Sequence, residues 1–384
     1  ELWRKDMIYL DYVSTTPLNQ EVNHMYQSLL NDYFANADSL YSLGLKTSAL
    51  MEKSRELTAR MLGVLPEEII FTSGASESNS TAIKGCAFQY QNRGKHIITT
   101  AVEHSSVYQS CLQLRDVFGY DVDFISVNDK GELNLAELEN KIREDTILVT
   151  MMYVNNEVGM VFPIREVYQI IQKKNPKVKF HVDMVQALGK LPIDLSYVDL
   201  ASFSAHKIYG LKGSGVLYKK SSTSIVPLIN GGQQEQQLRG GTSNTATHTM
   251  FAKTLRLALE NLDEHYQYVM MLNQYVREQL QQIPDIVMNT PQDHVTPYIL
   301  NFSCVGYKPE VILHALEMHE CYVSTKSTCA SHKHDVSRTL EAMGIDEKIA
   351  KSAIRISFSH YTTRDEIDEF LFYLKQVLKT IKKQ

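Results

Sequence analysis

No run of apolar residues in this sequence reaches the length of about 18 that a membrane-spanning helix needs, and no charged-then-apolar leader opens it. Positive charge is not in excess either. The 39 Lys and Arg residues are outnumbered by 44 Asp and Glu, for a net charge of -5. No overall basic field therefore recruits nucleic acid, and neither a membrane nor direct nucleic-acid binding is expected. Cysteine is scarce: Cys86, Cys111, Cys304, Cys321 and Cys329 are far apart, odd in number and without a CxxC pair. That pattern disfavours a disulfide framework and suits reduced thiols in a cytoplasmic protein. Internal repeats and low-complexity tracts are absent. What remains is ordinary globular composition, 43% hydrophobic and 22% charged over 384 residues, long enough for one large domain and a smaller one. The segment "ELWRKD" (1–6) reads as a remnant added ahead of the natural sequence, with Met7 as the natural start, and is set aside.

What recurs along the chain is a short apolar run ending in polar residues, followed by a helix-like segment. The runs are "EIIFTSGASES" (68–78), "HIITTAVEHSS" (96–106), "VDFISV" (122–127), "TILVTMMYVNNE" (146–157), "VKFHVDMVQ" (178–186) and "LASFSAHKIYG" (200–210). Their β-branched and aromatic residues predict buried strands alternating with helices, hence an α/β fold with a largely parallel sheet. Ligands of such sheets bind beyond the carboxyl ends of the strands. Those ends carry Ser73–Ser76, Glu103–His104, Asn155–Glu157, Asp183–Gln186 and Ser204–Lys207. One edge would thus gather a Lys, an Asp, two His, an Asn and a Gln. Residues 251–283 read as an amphipathic connecting helix ending before Pro284. Beyond it the order is strand ("PYILNFS"), helix ("PEVILHALEMH"), strand ("YVSTKST"), helix ("DVSRTLEAMG"), strand ("AIRISFS") and a final helix, a smaller α+β domain over 284–384.

In "SFSAHKIYGLKGSGVLY", Lys207 ends a buried strand ahead of a glycine-rich turn. A lysine there is costly unless paired or covalently used, and a Schiff base would employ it; a snorkelling surface lysine is the plain alternative. Ser204 and His206 beside it look like donors for a phosphate. In "HVDMVQALGK", Asp183 would suit the pyridinium nitrogen of pyridoxal phosphate (PLP), or would cap the next helix, and Gln186 could reach the cofactor's phenolic oxygen. "TSGASESNS" is a strand-to-helix turn whose N–H groups, around Ala75 and Ser76, could hold an anion. His104 of "AVEHSSV" could stack on a planar ring or be structural. Asn155 of "NNEVG" adds an amide. Arg355, between two isoleucines of "IRISF", is either paired or awaits a carboxylate. In "KSTCASHKH", Cys329 sits on a loop among small polar and basic residues. It reads as a nucleophile, a metal ligand with His332 and His334, a disulfide half or a surface thiol.

Taken together and in order, "TSGASESN", "EHSSV", "NNEVG", "HVDMVQALGK", "SFSAHKIYGLKGSGVLY", "LRGGTSNT", a late isolated Cys and "RISFS" resemble the NifS-like cysteine desulfurases over nearly the whole chain. The resemblance implies a fold-type I PLP enzyme, usually a homodimer, with a large PLP-binding domain over 7–250 that the N-terminal segment leaves to join the small domain. Such an enzyme converts L-cysteine to L-alanine and keeps the sulfur as a persulfide on its own cysteine. It further implies Lys207 as the Schiff-base lysine, Asp183 at the pyridinium nitrogen, Gln186 at the phenolic oxygen and His104 as the stacking ring that also relays protons. Ala75, Ser76, Ser204 and His206 match the phosphate cradle. Thr242 matches the residue lent to the neighbouring subunit's phosphate, Asn155 and Arg355 the substrate-carboxylate pair, and Cys329 the nucleophile. No metal is expected.

The sequence departs from the family at "YVSTTP" (12–17), at Tyr41 of "SLYSLG", where a His is usual, and at "TKSTC", where the family has "SGSAC". The spacing from Cys329 to Ser337 resembles the long-loop subgroup and implies a mobile loop. The ending "LKQVLKTIKKQ" lacks the tail of iron–sulfur-scaffold-binding relatives and points to a tRNA-thiolation acceptor. Other fold-type I enzymes, a selenocysteine lyase or an aminotransferase, are the rival readings among enzymes. A persulfide carrier or a metal-binding protein is the rival outside them.

Overall fold

The computed structural model describes residues 7–325 and 336–383. After a two-residue strand, β1 (Ile8–Tyr9), the six expected runs all supply strands: β2 (Ile69–Thr72), β3 (His96–Thr100), β4 (Asp121–Ile125), β5 (Thr146–Met152), β6 (Lys179–Asp183) and β7 (Leu200–Ser204). A further strand, β8 (Gly215–Lys219), is not among the expected runs. Together β2 to β8 form a seven-stranded sheet in the order β2-β8-β7-β6-β5-β3-β4, in which β8 alone runs against its neighbours.

Apolar residues on both faces explain why these strands read as continuous runs rather than alternations. Ile70, Ile97, Leu200 and Leu217 belong to one buried cluster, shared with the helices Ala75–Tyr90 and Ser105–Phe118. Ile69, Phe71, Ile98, Phe180 and Phe203 belong to the larger cluster on the other side. Truncating one such phenylalanine typically costs about 3–5 kcal/mol, so the sheet is a rigid platform for what projects from its ends.

The expected connecting helix over 251–283 is two helices, Thr245–Leu259 and Leu262–Leu280. Glu260 takes an extended conformation and Asn261 a left-handed one (φ 57°), which asparagine tolerates better than most residues and which no helix can continue through. Beyond them, β9 (Ile286–Met288), β10 (Ile299–Cys304) and β12 (Ala353–Ser357) make an antiparallel sheet in the order β12-β10-β9. The expected strand "YVSTKST" is reduced to β11 (Cys321–Tyr322), which pairs in parallel with β1 and so ties the start of the chain to its last third. Two residues on, Ser324 exchanges backbone hydrogen bonds with Arg355 of β12. No helix of the described residues is long and apolar enough to cross a membrane.

Candidate active site

The carboxyl ends of β2, β3, β6 and β7 open into a cleft of about 560 Å³. Ala75, Ser76, His104, Asp183, Gln186, Ser204, His206, Lys207 and Arg355 all line it, so residues spread over 280 positions of sequence share one cavity. This is where the strand-end rule for open α/β sheets places a ligand.

At one end of the cleft the chain leaves β2 through Gly74 and enters the Ala75–Tyr90 helix. Gly74 has φ 145°, open in practice to glycine alone, and a Cβ on Gly215 of β8 would stand 2.6 Å from the Gly74 Cα. The two glycines let strand and turn pack without a gap and leave the helix N-terminus bare toward the cavity. Lys207 and Lys212 also line the cleft, as does Glu77 of the helix's first turn, which is paired with Arg239 at 3.0 Å. His206 is held neutral, its pKa lowered to about 4 by burial first and by Lys207, Lys212 and Lys190 after it. Its Nδ1 lies 3.1 Å from the Thr15 hydroxyl. Such an end suits a phosphate.

In the middle of the cleft the Asp183 carboxylate is buried and doubly held. It accepts from Val185 N at 3.0 Å, at the start of the turn after β6, and from Asn79 Nδ2 at 2.8 Å. Asn79 also donates to the Ser106 hydroxyl at 2.9 Å, and that hydroxyl sits 2.8 Å from His104 Nδ1. His104 is at once the N-cap of the Ser105–Phe118 helix, its Nδ1 accepting from Ser106 N at 3.2 Å, and a wall of the cleft. With Nδ1 accepting from a backbone N–H, the neutral ring carries its proton on Nε2. His104 is thus both a helix cap and a wall of the cleft, whereas the helix that Asp183 would cap is absent, the chain after β6 running through turns over 185–190. Behind His104, the buried Glu103 carboxyl is raised to about 8, chiefly by burial, and accepts from Thr100 Oγ1 at 2.6 Å.

Lys207 Nζ donates to the carbonyls of Val13 and Ser14 at 2.7 and 2.6 Å. It is thus held toward the cleft by "YVSTTP", and Val13, Ser14 and Thr15 of that segment line the cavity. Arg355 is both paired and in the cleft. Its Nη2 donates to Asp11 Oδ1 and Ser14 Oγ, both at 2.9 Å, and its Nη1 to Asn156 O at 2.9 Å, while the buried Nε has no partner among the described residues.

Three expected residues are not brought to this cavity. Asn155 is a correction: it is fully buried behind the wall, and its neighbour Asn156 lines the cleft instead. Its Oδ1 accepts from Glu157 N at 2.8 Å and Val158 N at 2.9 Å, and its Nδ2 donates to Val102 O at 3.1 Å. A carboxamide committed at both ends to the turn after β5 has nothing left for a substrate carboxylate. Thr242 is exposed and does not line this chain's cleft. Cys329 lies outside the described residues, as do His332 and His334. The described residues on either side of it are tied to the cleft walls. Ser324 pairs with Arg355, Ser337 bonds Glu157, and Arg338 donates to Glu103 O at 2.5 Å.

Asn79, Ser106, Asp11 and Lys190 escape sequence reasoning. The first two had a signal: Asn79 lies four residues after Ala75, on the same helix face, and Ser106 lies within "EHSSV". Asp11 meets Arg355 across 344 positions and has none.

A lysine, a fixed carboxylate, an imidazole and a helix N-terminus in one cleft are groups that would suit the aldehyde, ring nitrogen, ring face and phosphate of PLP. Comparison with known proteins agrees. The aminotransferase class-V family model matches residues 8–370. A cysteine desulfurase IscS of Dictyoglomus turgidum is 37% identical over 381 residues, covering 98% of this chain and 96% of that one. A NifS/IcsS protein homolog of Lactobacillus delbrueckii subsp. bulgaricus is 40% identical over 381 residues, covering 98% of each. A solved structure of a NifS-like protein superposes with a TM-score of 0.92 at 35% identity, over 98% of this chain and 100% of that one. The chain belongs to the class-V aminotransferase family and, within it, to the NifS- and IscS-like cysteine desulfurases, enzymes that depend on PLP.

Proposed function

We propose that this protein converts L-cysteine to L-alanine, takes the sulfur onto Cys329 as a persulfide and passes it to an acceptor protein. The observation that carries the reading is the meeting of Lys207, Asp183 and His104 in one cleft with the start of the Ala75–Tyr90 helix. PLP, when bound, supplies an electron sink conjugated to the substrate's amine and so loosens its α-proton and its sulfur.

The chain's own residues do the rest. Ala75, Ser76, Ser204 and His206 hold the phosphate. Asp183, oriented by Asn79 and Val185, faces the ring nitrogen and favours its protonated form, and Gln186 donates to the phenolic oxygen. His104 covers the ring face and exchanges a proton at Nε2. Lys207 carries the cofactor at rest and, once released, moves the α-proton from its station beside the Val13 and Ser14 carbonyls. Arg355 presents its remaining N–H groups to the substrate carboxylate, and Asn155 has no part in this. Cys329 then bonds to the substrate sulfur as the carbon–sulfur bond breaks. The other four cysteines are buried, and burial raises every one of their thiols, to about 12 for Cys304 and Cys321; that suits packing and not attack.

Two copies pair. In support, Phe34, Leu40 and Tyr41 are 76%, 90% and 58% exposed, and Thr242 is exposed as a residue lent to a partner's phosphate would be in an isolated chain. Residues 7–250 act as the PLP-binding domain and 284–384 as the small domain, with the first strand joined to the latter. Buried reduced thiols fit a cytoplasmic setting. The acceptor is a tRNA-thiolation enzyme or an iron–sulfur scaffold, and direct transfer of labelled sulfur to each separates the two.

The test is a product assay with L-cysteine. With an excess thiol reductant present to release the persulfide's outer sulfur, equal amounts of alanine and sulfide, lost in Cys329→Ser while cofactor absorbance persists, support the reading. Keto acid as the product makes the protein an aminotransferase, and parental sulfur transfer by Cys329→Ser removes Cys329 from the mechanism.

A further inference from the structure

Lys190 is a buried cation that the scheme above leaves unused. It is 8% exposed, and among the described residues no carboxylate pairs with it. Its Nζ donates to Gln186 Oε1 at 2.9 Å. An ammonium with so little water and a single amide acceptor is expensive, and a methionine would pack there at less cost. Something must be gained from the charge.

The gain lies in what Gln186 does with its other end. Gln186 Nε2 donates to Val13 O at 3.3 Å, and that same carbonyl accepts from Lys207 Nζ at 2.7 Å. A carbonyl can only accept and an ammonium can only donate, so the amide has one orientation: Oε1 toward Lys190, NH2 toward Val13 and the cleft that Gln186 lines. The second N–H of that NH2 is left for an acceptor in the cavity. A continuous path results, from Lys190 through the Gln186 amide and the Val13 carbonyl to Lys207.

We propose that Lys190 is a positioning residue: it locks the Gln186 amide with its NH2 toward the cofactor's phenolic oxygen, and through that amide and its own charge it favours loss of the proton from the nitrogen of Lys207. Two further facts support it. Burial lowers Lys190 to about 7, and the charge of Lys207 adds to the effect. Coupling of this kind is reciprocal, so the Lys190 charge acts equally on the nitrogen of Lys207. Glu77, His104, Asp183, His206, Lys212 and Arg355 line the same cavity as Lys207 and are unchanged in the Lys190 variants; of these His206 is neutral, and Lys190 also disfavours its proton. A stabilised phenolic oxygen and a nearby positive charge push the Lys207 nitrogen in the same direction. Lys190 therefore helps to deprotonate a group it never touches.

The inference rests on Lys207 carrying the cofactor. Borohydride reduction and peptide mapping check that separately: cofactor fixed on any other lysine fails the assignment of Lys207 and not the role of Lys190. The test of Lys190 is the pH titration of the bound cofactor's visible band in the holoenzyme, for the parent, Lys190→Met and Lys190→Arg. Apoprotein reconstitution gives the cofactor's Kd alongside. Lys190→Met should raise the midpoint by roughly one unit and weaken cofactor binding about tenfold. Lys190→Arg, which keeps charge and donors, should stay near the parental midpoint. An unchanged midpoint in Lys190→Met overturns the proposal, and so does an equal shift in both variants, which would mark a packing effect. Should Lys190→Met fail to fold, Lys190→Gln gives the same readout with the same expected shift, and a parental midpoint there is equally fatal.

Discussion

The two walls of the cleft are made differently. The cofactor wall is the edge of one sheet: its groups leave β2, β3, β6 and β7 within four residues of the strand end. The substrate wall is assembled from distant pieces, namely the segment after β1, the turn after β5 and Arg355 of β12. Its central cation, Arg355, is fixed by Asp11 and Ser14 rather than by its own strand. A strand end dictates where a side chain goes, whereas a long-range assembly lets the same residue types be turned to structural work. Asn155 shows the second outcome and Asp183 the first.

That contrast can be broken at several points. The largest effect belongs to Lys207→Ala, which should lower alanine formation by at least about 10³-fold, because both cofactor attachment and proton movement are lost. Asp183→Asn should follow, lowering kcat roughly 10²-fold or more with cofactor still bound. An amide there meets the Asn79 NH2, cannot satisfy it in the same orientation and cannot hold the ring nitrogen protonated. The matching change on the other wall, Asp11→Asn, should be mild. It keeps an acceptor for Arg355 but removes the competing charge, so KM for cysteine should fall about three- to tenfold with kcat little changed. A comparable collapse of kcat in both Asp→Asn variants would erase the distinction between the walls.

The smallest effect concerns stability behind the cofactor wall. Glu103 holds its proton up to about 8 when folded and to its ordinary value when unfolded. Between these values the folded state binds more protons, so stability is fully present below about pH 4 and declines as pH rises through 8. Glu103→Gln should flatten that decline. Urea unfolding of the apoprotein at pH 5.5 and 8.5 measures it, and parallel losses in parent and variant would contradict the shift.

The legibility of the sequence follows the same division. The six buried runs read as strands because both faces of the sheet are covered, and their ends brought eight expected residues to one cavity. β8 escaped because its apolar residues follow a glycine-rich turn that reads as loop. The break at Asn261 escaped because an isolated left-handed asparagine leaves the amphipathic pattern intact on either side. The resemblance added the roles of these residues, which spacing alone left open. It also led Asn155 to the wrong side of the wall, since matching a motif does not say which way an amide faces. Asp11 and Lys190 were silent because their meaning comes only from partners, one across 344 positions and the other through Gln186.

The central claim is that sulfur leaves L-cysteine on this protein's own Cys329. Peptide mapping by mass spectrometry after brief treatment of the holoenzyme with L-cysteine tests it most directly. One extra sulfur on the peptide holding Cys329, and none on those holding Cys86, Cys111, Cys304 or Cys321, is the predicted result. Alanine formed in step with turnover but no added sulfur on Cys329, or sulfur on another cysteine, would contradict it.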